Sequence, residues 1–118
     1  MASWVKQSNF VSNASSVFLD AQHSAHALRQ ANASSSDLHT LCAVLLDEVN
    51  QINASLPAPD RQSTALLSNS YTDLGAAANL CYKAGHDAAA RARALARLSL
   101  GVSFLSEGSA RVATSSLP

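Results

Sequence analysis

Apolar residues recur at intervals of three and four along four stretches of the chain. The first set is Val11, Ala14, Phe18, Ala21, Ala25 and Leu28, with Trp4 one heptad before Val11. The second is Leu38, Cys42, Leu45, Val49, Ile52 and Leu56, and the third is Leu67, Tyr71, Leu74, Ala78 and Cys81. The fourth is Leu95, Leu98, Val102, Leu105, Ser109 and Val112. Such spacing places each set on one face of a helix, as in bundles whose helices cross at about 20°. Three breaks separate the stretches. Asn32–Asp37 is polar and ends in good helix-capping residues. Pro57-Ala58-Pro59-Asp60 stops a helix, because proline cannot donate to the ladder and restricts the residue before it. Lys83–Asp87 offers Gly85 to end one helix and Asp87 to cap the next.

The pattern predicts helices over about residues 3–30, 36–56, 60–83 and 87–114. Short connections make sequential neighbours antiparallel. The expected fold is therefore all-α: one domain over residues 1–118, an antiparallel up-down four-helix bundle with a fraying tail at 115–118. A longer two-helix hairpin that dimerises would use the same seams, but it would bury Gly85 and the serine-rich stretch inside helices.

Composition supports helices over sheets. Hydrophobic residues make up 47% of the 118, many of them alanine, and aromatics only 5%. Alanine loses no side-chain entropy in a helix. Eight basic and eight acidic residues give a formal net charge of zero, which argues against general nucleic-acid binding, where a surplus of cations displaces counterions. No stretch approaches the ~20 apolar residues of a membrane span. Nor does the start, Met1-Ala2-Ser3-Trp4-Val5-Lys6, read as a signal peptide. The expectation is a cytosolic protein, or an exported domain whose targeting segment or membrane tether lies outside this sequence.

The cysteines bear on that choice. Cys42 and Cys81 both fall on their seams and point inward. Counted from the proline loop, their heights differ by roughly 9 Å at 1.5 Å per residue, an offset the loop can partly absorb. A disulfide between the second and third helices is expected. It would stabilise by about 4 kcal/mol on the chain-entropy model and place the domain in an oxidising compartment. Two buried thiols in a cytosolic protein are the alternative.

Three stretches carry a resemblance: Leu38-His39-Thr40-Leu41-Cys42-Ala43-Val44-Leu45, Leu56-Pro57-Ala58-Pro59-Asp60, and Ala76-Ala77-Ala78-Asn79-Leu80-Cys81. Together, over about residues 36–83, they resemble a group of small actinobacterial helical proteins. These have a cysteine early in one helix, a Leu-Pro-x-Pro-Asp turn, and a second cysteine late in the next. The resemblance implies export or anchoring at the cell envelope. It assigns no activity and transfers no catalytic residue.

Candidate chemistry gathers at one pole of the expected bundle. His23, His26, His39 and His86 all lie toward it, with Asp20, Asp37 and Asp87. His23 and His26 are three apart and share a face, so a third ligand from a neighbouring helix would complete a divalent-metal site. Exposed histidines are the simpler reading. Arg91, Arg93 and Arg97 form a candidate docking patch for an anionic partner in the same half, against the alternative of a solvated face. Three Asn-Ala-Ser triplets, at Asn13, Asn32 and Asn53, fit the glycosylation rule but arise cheaply in such a sequence.

Catalytic patterns are missing. No Gly-x-Ser-x-Gly elbow, phosphate-binding glycine loop or His-Glu-x-x-His pair occurs. The expectation is a non-enzymatic helical interaction module without a cofactor, exported or extracytoplasmic, acting as monomer or homodimer on a protein partner. The alternative is a small metal-ion or ligand-binding bundle using the histidine pole.

Overall fold

Residues 1–117 are described by a computed structural model. They form five helices: α1 (Ala2–Ser8), α2 (Phe10–Arg29), α3 (Ser35–Asn53), α4 (Arg61–Ala84) and α5 (Ala88–Ser115). No strand occurs among the described residues. Pro118, the end of the expected fraying tail, lies outside them.

The first expected helix, 3–30, is two helices. Asn9 adopts the left-handed conformation, with φ 56° and ψ 37°. Asparagine is one of the few residues other than glycine that visits this region readily. The turn bends α1 back from α2, and two contacts hold it. The Trp4 indole Nε1 donates to the Ser55 carbonyl at 3.0 Å, and its ring packs on Phe10 at 5.3 Å between centroids. The bridged cysteines therefore join the third and fourth helices of five, rather than the second and third of four.

Helix ends follow their capping chemistry. Ser34 caps α3 by accepting from the Asp37 amide at 3.0 Å. The α3 helix stops at Asn53, short of the expected residue 56, and Leu56 enters the proline loop. Asp60 caps α4, accepting from the Gln62 and Ser63 amides, and Asp87 caps α5 through Ala89 and Ala90. Gly85 closes α4 with φ 55°, where a Cβ would be strained.

Packing runs in a ring: α2 contacts α3 and α5, and α4 contacts the same two helices from the other side. The closest pair is α4 and α5, which run antiparallel, since Asp60 at the start of α4 meets Arg111 near the end of α5. A Cβ on Gly101 would lie 2.6 Å from Leu74 side-chain atoms and 3.0 Å from its backbone nitrogen. One on Gly108 would lie 2.8 Å from Leu67. Two leucines of α4, seven residues apart, thus enter two glycine slots of α5, also seven apart. Between them the buried Ser70 hydroxyl donates to the Gly101 carbonyl at 2.6 Å.

The buried seams partly differ from those expected. On α3 and α4 the predicted positions are buried from Leu38 to Ile52 and from Leu67 to Cys81. On α2 the buried row is Phe10, Ala14, Val17, Ala21, Ser24 and Leu28. On α5 it is Arg91, Ala94, Leu98, Gly101, Leu105, Gly108 and Val112. Val11 is 66% exposed, while Phe18, Leu95 and Val102 are only partly buried. Ala14, Ala21, Leu28, Leu98, Leu105 and Val112 are buried as expected, while at the alternate positions the buried residue lies one place earlier; on α5 those residues are the small Ala94, Gly101 and Gly108.

Candidate functional site

Two buried features anchor the arrangement, a disulfide and an arginine. Cys42 and Cys81 are fully buried, form a disulfide and have Cα atoms 6.0 Å apart. A buried bridge of this kind fits an oxidising, extracytoplasmic environment. No described helix is long and apolar enough to cross a membrane.

Arg91 is the second anchor. It was a candidate for a docking patch or a solvated face, yet it is only 6% exposed. Its Nε donates to the Gly85 carbonyl at 2.7 Å, Nη1 to Gln30 at 2.8 Å and Nη2 to Ala33 at 2.9 Å. Nη2 also lies 3.5 Å from His86 Nδ1. One guanidinium thereby satisfies the carbonyls of two loops, α2–α3 and α4–α5, as its planar fork of donors allows. Arg97 is held as well, by Asp73 at 3.1 Å. Of the expected trio only Arg93 stands exposed and without an ion pair. The three do not form one patch.

The histidines do not converge. His23 is exposed and lies 3.9 Å from the Asp20 carboxylate one turn away. His26 is exposed on the same helix. His39 stacks on Tyr82 across α3 and α4, with centroids 4.2 Å apart and planes 14° from parallel. His86 stays beside Arg91. Among the described residues no three His, Cys, Asp or Glu side chains are grouped to hold a metal ion.

A carboxyl pair was not foreseen. Glu48 of α3 meets Asp20 of α2. Burial, then the hydrogen bond and charge of Asp20, raise the Glu48 carboxyl from 4.5 to about 7. One Glu48 carboxyl oxygen, Oε2, is buried without a hydrogen-bond partner. Beside them Asn13, Ser16 and Gln51 line a small polar hollow of about 70 Å³ with Glu48. Beside the proline loop Arg111 grips Asp60 with Nε at 2.8 Å and Nη2 at 3.2 Å. Arg111 and Ser63 hold the Asp60 carboxyl well below its usual range. In the core the Tyr71 hydroxyl is pushed upward by burial and has no hydrogen-bond partner.

The longest candidate surface is the seam between α2 and α5. Three depressions lie along it in series. The first, about 270 Å³, is lined by Phe10, Val11, Phe18 and Val112 and closed at its end by Val5 of α1. The second, about 260 Å³, is lined by Ala25, Leu95 and Val102. The third, about 370 Å³, lies between Leu28, Ala88 and Leu95 near Arg29. Most of these apolar side chains are the ones placed on the core seams from sequence alone. Val11, Phe18, Ala25, Leu95 and Val102 border the core instead and leave a shallow, largely apolar groove. Arg29 stands at one end, exposed and without an ion pair among the described residues.

No protein-family model, curated protein or solved structure matches the chain.

Proposed function

We propose that this chain is a non-enzymatic protein-interaction module of the cell exterior or envelope, built as an up-and-down bundle of four long helices with α1 as an appendage. Its mechanism is presentation of a rigid surface. The disulfide staples α3 to α4, the glycine slots fix α4 on α5, and the α2–α5 groove is left to receive the partner. The observation that carries this reading is that groove, with Val11, Phe18, Leu95 and Val102 half out of the core on one apolar face that Arg29 borders.

The occupant is an amphipathic helix of another protein. Enclosed pockets that cover most of a ligand suit small molecules, whereas open grooves between helices suit an apolar helix face with anchors at i, i+3, i+4 and i+7. Arg29 calls for an acidic side chain at the partner's matching end. The actinobacterial resemblance and the buried bridge both support export. The histidine-pole metal site has no grouping of ligands in its favour.

Photo-crosslinking side chains at Phe18 and Val102, compared with one at exposed Arg61 of α4, test the reading in cells that secrete the protein. Adducts at the groove positions and not at Arg61 are expected. Adducts at all three, or at none, would overturn it.

A further inference from the structure

The α5 helix carries five charged side chains, and three are already engaged within the chain. Arg91 holds loop carbonyls, Arg97 pairs with Asp73, and Arg111 pairs with Asp60. Arg93 and Glu107 remain, opposite in sign, exposed and without an ion pair among the described residues. Each stands seven residues from Leu100. Leu100 is 52% exposed and belongs to the same outward stripe.

That stripe has its own three-four spacing: Arg93, Ala96, Leu100, Ser103, Glu107 and Ala110, all exposed. It lies on the outer face of α5, turned away from both the α2–α5 groove and the α4 contact. Around Leu100 the small side chains leave room for a close helix approach. The charges sit symmetrically, about 10 Å to either side at 1.5 Å per residue.

We propose that the outer face of α5 is an isologous interface with a second copy of this chain, the two α5 helices running antiparallel with a two-fold axis at Leu100. In that arrangement Arg93 of each copy faces Glu107 of the other, and Leu100 packs on its own counterpart. A two-fold axis requires such self-complementarity. A parallel pairing would set Arg93 on Arg93 and Glu107 on Glu107. An unrelated partner would need no symmetry of charge about the central leucine. A single helix pair is a small contact, so the dimer is weak and salt-sensitive.

Sedimentation equilibrium of the oxidised chain, up to millimolar concentration and at low and high salt, tests this directly. Dimers that dissociate as salt rises are expected. Arg93→Glu or Glu107→Arg alone should weaken the dimer about tenfold, because each creates two like-charge contacts. The double variant Arg93→Glu/Glu107→Arg should restore it, since the pairs re-form with the signs exchanged. Leu100→Asp should leave monomer only. All three positions are exposed, and far-ultraviolet circular dichroism checks that each variant keeps its helices. A monomer at every concentration, a dimer indifferent to Leu100→Asp, or a double variant no tighter than the single ones would overturn the proposal. None of these results bears on occupancy of the α2–α5 groove, whose crosslinks report that reading separately.

Discussion

Adding one methyl group at Gly101 tests how closely α4 and α5 approach. In an ordinary helix interior Gly→Ala stabilises by about 1 kcal/mol, because glycine loses more backbone freedom on folding. Gly75 meets that condition, since its Cβ would find no atom within 4 Å. At Gly101 the same methyl would lie 2.6 Å from Leu74 Cγ and Cδ2, and 3.0 Å from the Leu74 backbone nitrogen. The side chain could turn aside, but the backbone atom moves only if α4 moves. Overpacking of this kind costs about 1–3 kcal/mol. The disulfide pins α4 to α3 and limits its retreat, so the upper part of that range applies. Set against the propensity gain, Gly101→Ala should lose about 1–2 kcal/mol while Gly75→Ala gains about 1 kcal/mol. At about 4 °C per kcal/mol for a domain of this size, thermal unfolding of the oxidised proteins should separate the two variants by roughly 10 °C. A cycle with Leu74→Ala should then show coupling, as the methyl fills space the leucine vacates. Equal stability of the two glycine variants would refute the slot geometry.

Other outcomes follow from the remaining contacts. Reducing the disulfide removes the constraint on a loop with a sequence separation of 39 and should cost about 4 kcal/mol, read as a shift in urea midpoint with and without reductant. Arg91→Met should leave the Gly85, Gln30 and Ala33 carbonyls without their donor and cost about 3 kcal/mol; Arg91→Lys, lacking the fork, should recover only part of this. Because the folded Glu48 carboxyl titrates near 7 rather than 4.5, the folded chain binds the extra proton, so this group's contribution is full below pH 4.5 and is lost as pH rises through about 7. Denaturant titrations across that window should show Glu48→Gln flattening the slope, and an unchanged slope would remove the raised Glu48 carboxyl from the account. Asp60 has the opposite sign: its lowered carboxyl stabilises above its ordinary value of 3.8 and loses that contribution in acid. Asp60→Asn keeps the helix cap but not the charge, so it should abolish the acid-side loss and the salt dependence without unfolding α4.

How much could be read from the chain depended on what occupied each core position. Leu38, Cys42, Leu45, Val49 and Ile52 are all apolar, so the α3 seam was legible, as was α4 through Leu67, Leu74 and Cys81. On α5 the core row alternates leucine with Arg91, Ala94, Gly101 and Gly108. Larger side chains one residue along, Leu95 and Val102, drew the eye to the groove instead. The row's seven-residue glycine spacing, matched to that of Leu67 and Leu74, was the available signal. Ser24 obscured α2 in the same way. The Asn9 turn carries no glycine or proline, and nothing local separates a left-handed asparagine from a helical one. Arg91 read as solvated because its acceptors, Gln30 and Ala33, lie some sixty residues away in sequence. The Asp20–Glu48 contact spans two helices and needs their relative rotation, which the apolar pattern of α2 misstated.

The most direct test of the account is a non-reducing peptide map of the protein recovered from cells that make it naturally. The account predicts a single cross-linked species joining the Cys42 and Cys81 peptides, which separates on reduction. Free thiols at both positions, in material alkylated before lysis, would contradict the stapled core and the extracytoplasmic setting together.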